Sequence, residues 1–136
     1  MKKVYAVVDT NVLVSALLSS HNDSATSQVL SLLVGGWITP LYNEEILVEY
    51  TDVLHREKFN FSDEDIKLIL TSVIEFGIES ERLTSREIFP DPKDVVFYEV
   101  ALSTDGTFLV TGNTKHFPKN PIVVTPAELV SIIKGK

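Results

Sequence analysis

Five short candidate strands, most of them apolar, interleaved with helical stretches set the tightest limit on what this chain can fold into. They are Val4–Val8, Trp37–Thr39, Ile78–Leu83, Phe108–Val110 and Ile122–Val124. Each is too brief for a helix, and the first, rich in valine and tyrosine, reads as a buried strand. Asp9 ends it, and Thr10 or Asn11 then caps a helix carrying Val12, Leu13, Ala16 and Leu17. Asp23 or Ser24 starts a second helix over Ala25–Leu33, which Gly35-Gly36 stops. Asn43 caps a third, running to about His55, and Ser62 caps a fourth, with Glu64 and Asp65 in its first turn and Gly77 after Phe76. Asp91-Pro92 opens a fifth helix, because proline suits the first helical position. Gly106 ends that region, and Pro126 opens a last helix ending near Lys134. Short apolar strands alternating with helices predict an α/β fold, a parallel sheet covered on both faces.

The 136 residues suit one domain, 1–136, and no repeat, low-complexity tract or linker divides them. The Lys58–Ser62 turn is the expected flexible spot. Hydrophobic residues at 44% and charged residues at 23% exclude wholesale disorder. With no cysteine, disulfide scaffolds, thiolate zinc sites and cysteine nucleophiles are excluded. The three histidines, His21, His55 and His116, are widely separated, which disfavours a histidine-rich zinc site. Asp9 and Asn11 interrupt the apolar stretch near the start, unlike a signal peptide. No run is long enough to span a membrane. The expectation is a soluble, cytoplasmic protein.

Twelve basic against nineteen acidic residues give a net charge of −7, which by itself argues against a general nucleic-acid binder. A divalent cation bound by clustered carboxylates reverses the local sign, so placement matters more than number. Asp9 sits between a buried strand and a helix, the edge at which open α/β sheets bind ligands. It is either a helix cap or, if Asn11 caps instead, a group facing the crevice. In the third helix, Ile46, Leu47, Tyr50, Val53 and Leu54 form the apolar stripe. At about 100° per residue Glu49 falls nearest that stripe, with Glu44, Glu45 and Asp52 pointing further outward. All four acids forming one solvated face is the competing reading. In the fifth helix Asp94 falls inside the apolar face made by Val95, Phe97, Tyr98, Ala101 and Leu102. A buried carboxylate there needs a partner, for which a cation is the natural candidate, unless the helix start leaves Asp94 in water. Asp91 is better placed as the cap, and Glu99 falls off the stripe toward the surface. Thr111-Gly112-Asn113 follows the fourth strand, which puts Asn113 on the same edge as Asp9, able to orient water or a phosphate or simply to make a turn. Lys115 and His116 follow as surface residues within reach of a polyanion. Three carboxylates offering oxygen suit Mg²⁺ or Mn²⁺. No GxxxxGK[ST], GxGxxG or Ser–His–Asp pattern is visible, so any chemistry is metal-assisted rather than covalent.

The segments VVDTNVLVSALL, EEILVEYTDVL, DPKDVVFYEVAL, FLVTGNTKHF and IVVTP, in this order and spacing, resemble a PIN domain over Val4 to about Ile133. The likeness is to its VapC-like branch, the toxins of toxin–antitoxin pairs. That resemblance implies a three-layer α/β/α sandwich and a Mg²⁺- or Mn²⁺-dependent ribonuclease that hydrolyses a phosphodiester with an activated water. It maps the family's three acids onto Asp9, Glu49 and Asp94, as metal ligands and catalytic groups. Asn11 takes the place of the polar residue beside the first acid, and Thr111 and Asn113 fall in the supporting loop. It also implies RNA as substrate, an antitoxin protein as partner, and a homodimer. The chain departs from the family at Asn113, where many members carry Asp. One fewer negative charge predicts weaker metal binding, dependence on a substrate phosphate, or lost activity. A degenerate PIN-like domain that binds RNA or protein without cutting is therefore the competing reading. An aspartyl-nucleophile phosphatase wants a second Asp two residues after the first, where this chain has Asn11.

Overall fold

A computed structural model describes all residues, Met1 to Lys136. Its strands are β1 (Val4–Val8), β2 (Ile38–Tyr42), β3 (Ile78–Glu79), β4 (Thr107–Val110) and β5 (Val123–Val124). Its helices are α1 (Thr10–Leu18), α2 (Ala25–Val34), α3 (Glu44–Leu54), α4 (Asp63–Phe76), α5 (Val95–Leu102) and α6 (Pro126–Lys134). All strand pairs are parallel, in the order β3-β2-β1-β4-β5. Parallel neighbours need crossovers, and the helices that provide them cover the sheet as an α/β/α sandwich. Helix α5 packs on β1, β2 and β4, while α2 packs against α1, α4 and α6. Ala6, Val7 and Val8 of the central strand are almost wholly buried, as both-face coverage requires. No helix is long and apolar enough to cross a membrane.

Side chains cap four helix starts, three of them at the residues read from the sequence and the fourth at Thr125, just before Pro126. Ser24, Asn43, Ser62 and Thr125 each accept a backbone N–H of the first turn, and Thr125 forms a full capping box with Glu128. Four elements differ from expectation. Strand β2 does not stop before Pro40 but runs through it to Tyr42. Because β3 pairs with β2 only from Leu41 onward, Pro40 has no ladder to interrupt on that side. Strand β3 is only two residues long, since after Glu79 the chain turns to pack along α5. Its entry is tight: a Cβ at Gly77 would lie 2.1 Å from the Val73 carbonyl oxygen and 2.6 Å from that of Pro40. The fifth helix is split. Asp91 accepts the Lys93 N–H at 2.9 Å and closes a 3-10 turn over Pro92–Asp94, so α5 proper starts at Val95.

The fourth difference is Glu99, which is not at the surface but only 6% exposed. Arg82 donates from Nε to Glu99 Oε1 at 2.8 Å, and Ser85 N–H donates to Oε2 at 2.6 Å. The Arg82–Ser85 strap thus covers the side of α5 away from the sheet. Periodicity within one helix registers the side facing the sheet and is blind to a loop returning over the other.

A carboxylate-lined crevice at the edge of the sheet

Asp9 follows the last residue of β1 and is the N-cap of α1 by position, yet its side chain makes no cap hydrogen bond. Instead Asp9 Oδ2 accepts from Thr111 Oγ1 at 2.7 Å, at the end of the neighbouring strand β4. Thr111 Oγ1 in turn accepts the Asn113 N–H at 3.0 Å. The side-chain bond that fixes this carboxylate therefore comes from the next strand. Asn11 does not cap either; its Oδ1 faces the Gly112 N–H at 3.5 Å, a long contact.

Glu49 lies one side of this point, on α3. Thr10 Oγ1 donates to Glu49 Oε2 at 2.5 Å, so adjacent threonine and aspartate at the start of α1 each tie into the site. Glu49 is half-buried while Glu44, Glu45 and Asp52 are exposed, as the helical spacing predicts. The next residue, Tyr50, is buried and donates its hydroxyl to the Val8 carbonyl, fastening α3 beneath the end of β1. Burial pushes the Tyr50 phenol far above its ordinary value, with the Asp9 and Glu49 charges adding to the effect, so it stays a neutral donor.

Asp94 enters from the turn before α5. Its side chain keeps 17% of its surface exposed, and its Oδ2 lies 3.7 Å from His116 Nδ1. Burial, then Asp9 and Asp91, push the Asp94 carboxyl up to about 6, with Glu49 adding less and His116 opposing. Asp9 is also raised, chiefly by burial and partly by Glu49, against the Thr111 hydrogen bond and the Thr10 and Asn11 amides that pull it down. Both shifts have the cause expected of like charges gathered in a half-buried space.

Asp9, Asn11, Glu49 and Asp94 line one crevice of about 330 Å³ at the ends of β1 and β4, with Asp91 at its rim. Thr111 lies beneath it, bound to Asp9, whereas the Asn113 side chain is exposed and contributes only its backbone to the relay. The donors are hard oxygens, the set that suits Mg²⁺ or Mn²⁺, and the mutual repulsion they carry is what a cation relieves. In chemistry they fit such an ion, but no three of the His, Asp or Glu groups converge closely enough to enclose one. Sequence reasoning read Thr10 only as a possible cap and did not single out Arg56, Phe59 or Lys93, yet all four reach this crevice. Arg56 lies in no motif, Lys93 lies between two acids that draw the attention in its segment, and a lone phenylalanine in a turn carries no periodic signal. His116, read as a surface residue, is exposed but stands beside Asp94.

The parallel α/β/α sandwich places these acidic side chains beyond the ends of its strands, the edge at which such sheets bind ligands. The family model described as PIN domain matches residues 5–115, and the chain belongs to that family. Among curated proteins none matches the chain.

Proposed function

We propose that the chain is a metal-dependent endoribonuclease and that Asp9, Glu49 and Asp94 are its catalytic and metal-holding residues. The observation that supports this best is their position in one crevice of a PIN fold, where the Asp94 carboxyl is raised to about 6 by burial and by its acidic neighbours. Mg²⁺ or Mn²⁺ bound there would activate water for attack on a phosphodiester and offset the charge that develops on the phosphate. Asp9, Glu49 and Asp94 would hold it, with waters or a substrate phosphate completing its shell, since the three acids do not enclose an ion unaided. Thr111 keeps Asp9 oriented and Thr10 does the same for Glu49, each leaving the second carboxylate oxygen for the ion. Asn11 and Asn113 would position water or phosphate at the rim. Arg56 and Lys93 beside the acids supply the positive charge that a polyanion needs despite the net −7. A role as the toxin of a toxin–antitoxin pair, an antitoxin partner and a homodimer rest on the resemblance to the VapC-like branch, and a cytoplasmic location rests on the sequence expectation alone.

One feature favours a second reading, a domain that binds RNA or protein without cutting. Asn113 is neutral where many members of the family carry Asp, so the chain offers one fewer negative charge. Titration of metal-stripped protein with Mn²⁺ and Mg²⁺, followed by incubation with a mixed RNA pool beside the Asp9→Asn variant, separates the two. Cleavage that needs metal and is lost in the variant supports the nuclease. Metal binding with no cleavage supports the second reading, and no metal binding overturns the site.

A further inference from the structure

The turn between α3 and α4 presents an aromatic platform to the acidic crevice. Phe59 lines that crevice together with Arg56 and Lys93. Its ring stacks on Phe61 at 5.2 Å between centroids and 8° between planes. Phe61 packs against the hydrophobic core, so the pair is anchored from below. Asn60, between them, has φ 52° and is the only non-glycine residue in the left-handed region. That conformation folds the chain so that two aromatics two residues apart meet face to face; for Asn its cost is small. Backbone bonds from Phe59 N–H to Arg56 O and from Asn60 N–H to Glu57 O, both 3.1 Å, close the turn. Lys58 Nζ lies 5.1 Å from the Phe59 ring centroid, held there by nothing stronger than a cation–π contact at an exposed site. Arg56 is tied only to Asp52, at 3.5 Å between exposed side chains, a pair too weak to hold it from another anion.

We propose that Phe59 is a base-stacking residue for single-stranded RNA, with Arg56 and Lys93 holding the flanking phosphates. The proposal deepens the nuclease reading, on which it rests for the identity of the strand. An aromatic face beside cations is how sequence-tolerant single-strand binding is built, because every base has a π-face and every nucleotide a phosphate. A duplex keeps its bases stacked on one another and has none to offer. A base arriving on Phe59 displaces Lys58, whose ammonium is then free for a phosphate. The crevice then recognises an unpaired nucleotide next to the bond brought to Asp9, Glu49 and Asp94.

The test is fluorescence anisotropy of a short labelled RNA single strand and of its duplex, with Mg²⁺ present and Asp9→Asn as the background that blocks cleavage. Phe59→Ala should weaken single-strand binding by roughly 5- to 100-fold and leave duplex binding unchanged. Phe59→Trp should restore it, and Arg56→Ala should reduce the salt dependence. In a Trp37→Phe background, Phe59→Trp emission should be quenched by the single strand alone, a readout independent of the alanine variant's folding. Equal loss for duplex and single strand, wild-type binding by Phe59→Ala, no binding of single strands, or an unquenched Trp overturns the proposal. The nuclease reading fails separately. If the protein cuts RNA through Asp9 while Phe59→Ala binds normally, the platform falls and the nuclease stands. If single strands bind through Phe59 but none is cut, the platform stands and the nuclease falls.

Discussion

Thr111 donates its hydroxyl to the Asp9 carboxylate at 2.7 Å although the two lie 102 positions apart in the chain. The parallel pairing of β1 with β4 sets Val8 beside Val110, and the next residue of each strand carries one half of this bond. Replacing the hydroxyl with a methyl should therefore register at the crevice. Thr111→Val leaves Asp9 Oδ2 and the Asn113 N–H without their partner, which should cost about 1–3 kcal/mol in denaturant unfolding. The Thr111 hydrogen bond favours the ionised Asp9, so its loss raises the Asp9 carboxyl further. The acidic limb of any metal-dependent cleavage should then move to higher pH, while Thr111→Ser leaves it in place. A structural role alone would lower stability without moving the pH profile.

Asp9→Asn should abolish metal-dependent cleavage and leave the fold intact. An amide oxygen at the Oδ2 position still accepts the Thr111 hydroxyl, so the link between the two strands survives. The loss of one negative charge removes the group we assign to the ion. Circular dichroism at room temperature beside an RNA cleavage assay checks both halves, and an unfolded variant would show that the ionised carboxylate is structural.

Asp94→Asn should stabilise the metal-free protein. The Asp94 carboxyl is pushed from 3.8 to about 6, so the folded state holds its proton more tightly than the unfolded chain does. Stability from this group is thus fully present below about pH 4 and is lost as pH rises through 6. At pH 7 the ionised residue costs the fold about 1–2 kcal/mol, allowing for solvent contact. The variant's melting temperature should exceed that of the wild type at pH 7, and the gap should close on acidification toward pH 4. A lower melting temperature at pH 7 would contradict this.

Glu99→Ala should be destabilising, by about 1–3 kcal/mol, because it leaves the Ser85 N–H without its acceptor and the Arg82 guanidinium with Glu45 alone. Glu99→Gln keeps an acceptor and should cost less. Arg82 also donates to both oxygens of exposed Glu45, at 3.0 and 2.9 Å, so Glu45→Ala should cost under 1 kcal/mol. Chemical denaturation of the three variants gives the order, and equal losses would show that burial of Glu99 is not what sets its importance.

Divalent ions should raise the melting temperature of the wild type in proportion to the logarithm of their concentration above the dissociation constant. The effect should shrink below pH 6, where Asp94 takes up a proton that the ion must displace. It should vanish in Asp9→Asn/Asp94→Asn. Thermal melts across pH with Mn²⁺ and Mg²⁺ test this, and an equal rise in the double variant would place the ion elsewhere.

Much of this was legible in the chain. The five candidate strands became five parallel strands, the third cut to two residues, and Ser24, Asn43, Ser62 and Pro126 marked helix starts through local hydrogen bonding or a fixed φ, which depend only on neighbours. Glu49 was legible because a helix repeats every 3.6 residues and carries its own compass. Asn11 misled because capping propensity favours it, while Gly112 from a distant loop offers its N–H. Glu99 misled for a similar reason, since the strap that buries it comes from 14 to 17 positions away and lies on the side opposite the sheet.

What the sequence determined by itself was the alternation of strand and helix, and the placing of Asp9, Glu49 and Asp94 at element ends or on inward faces. These follow from short-range sterics, periodicity and capping, which act over a few residues. Only the tertiary structure decided that Thr111 rather than a helix cap holds Asp9, that Thr10 holds Glu49, and that Phe59 stands beside the acids. Parallel pairing joins strands separated by whole crossovers, and a hydrogen bond between their ends has no local pattern to announce it.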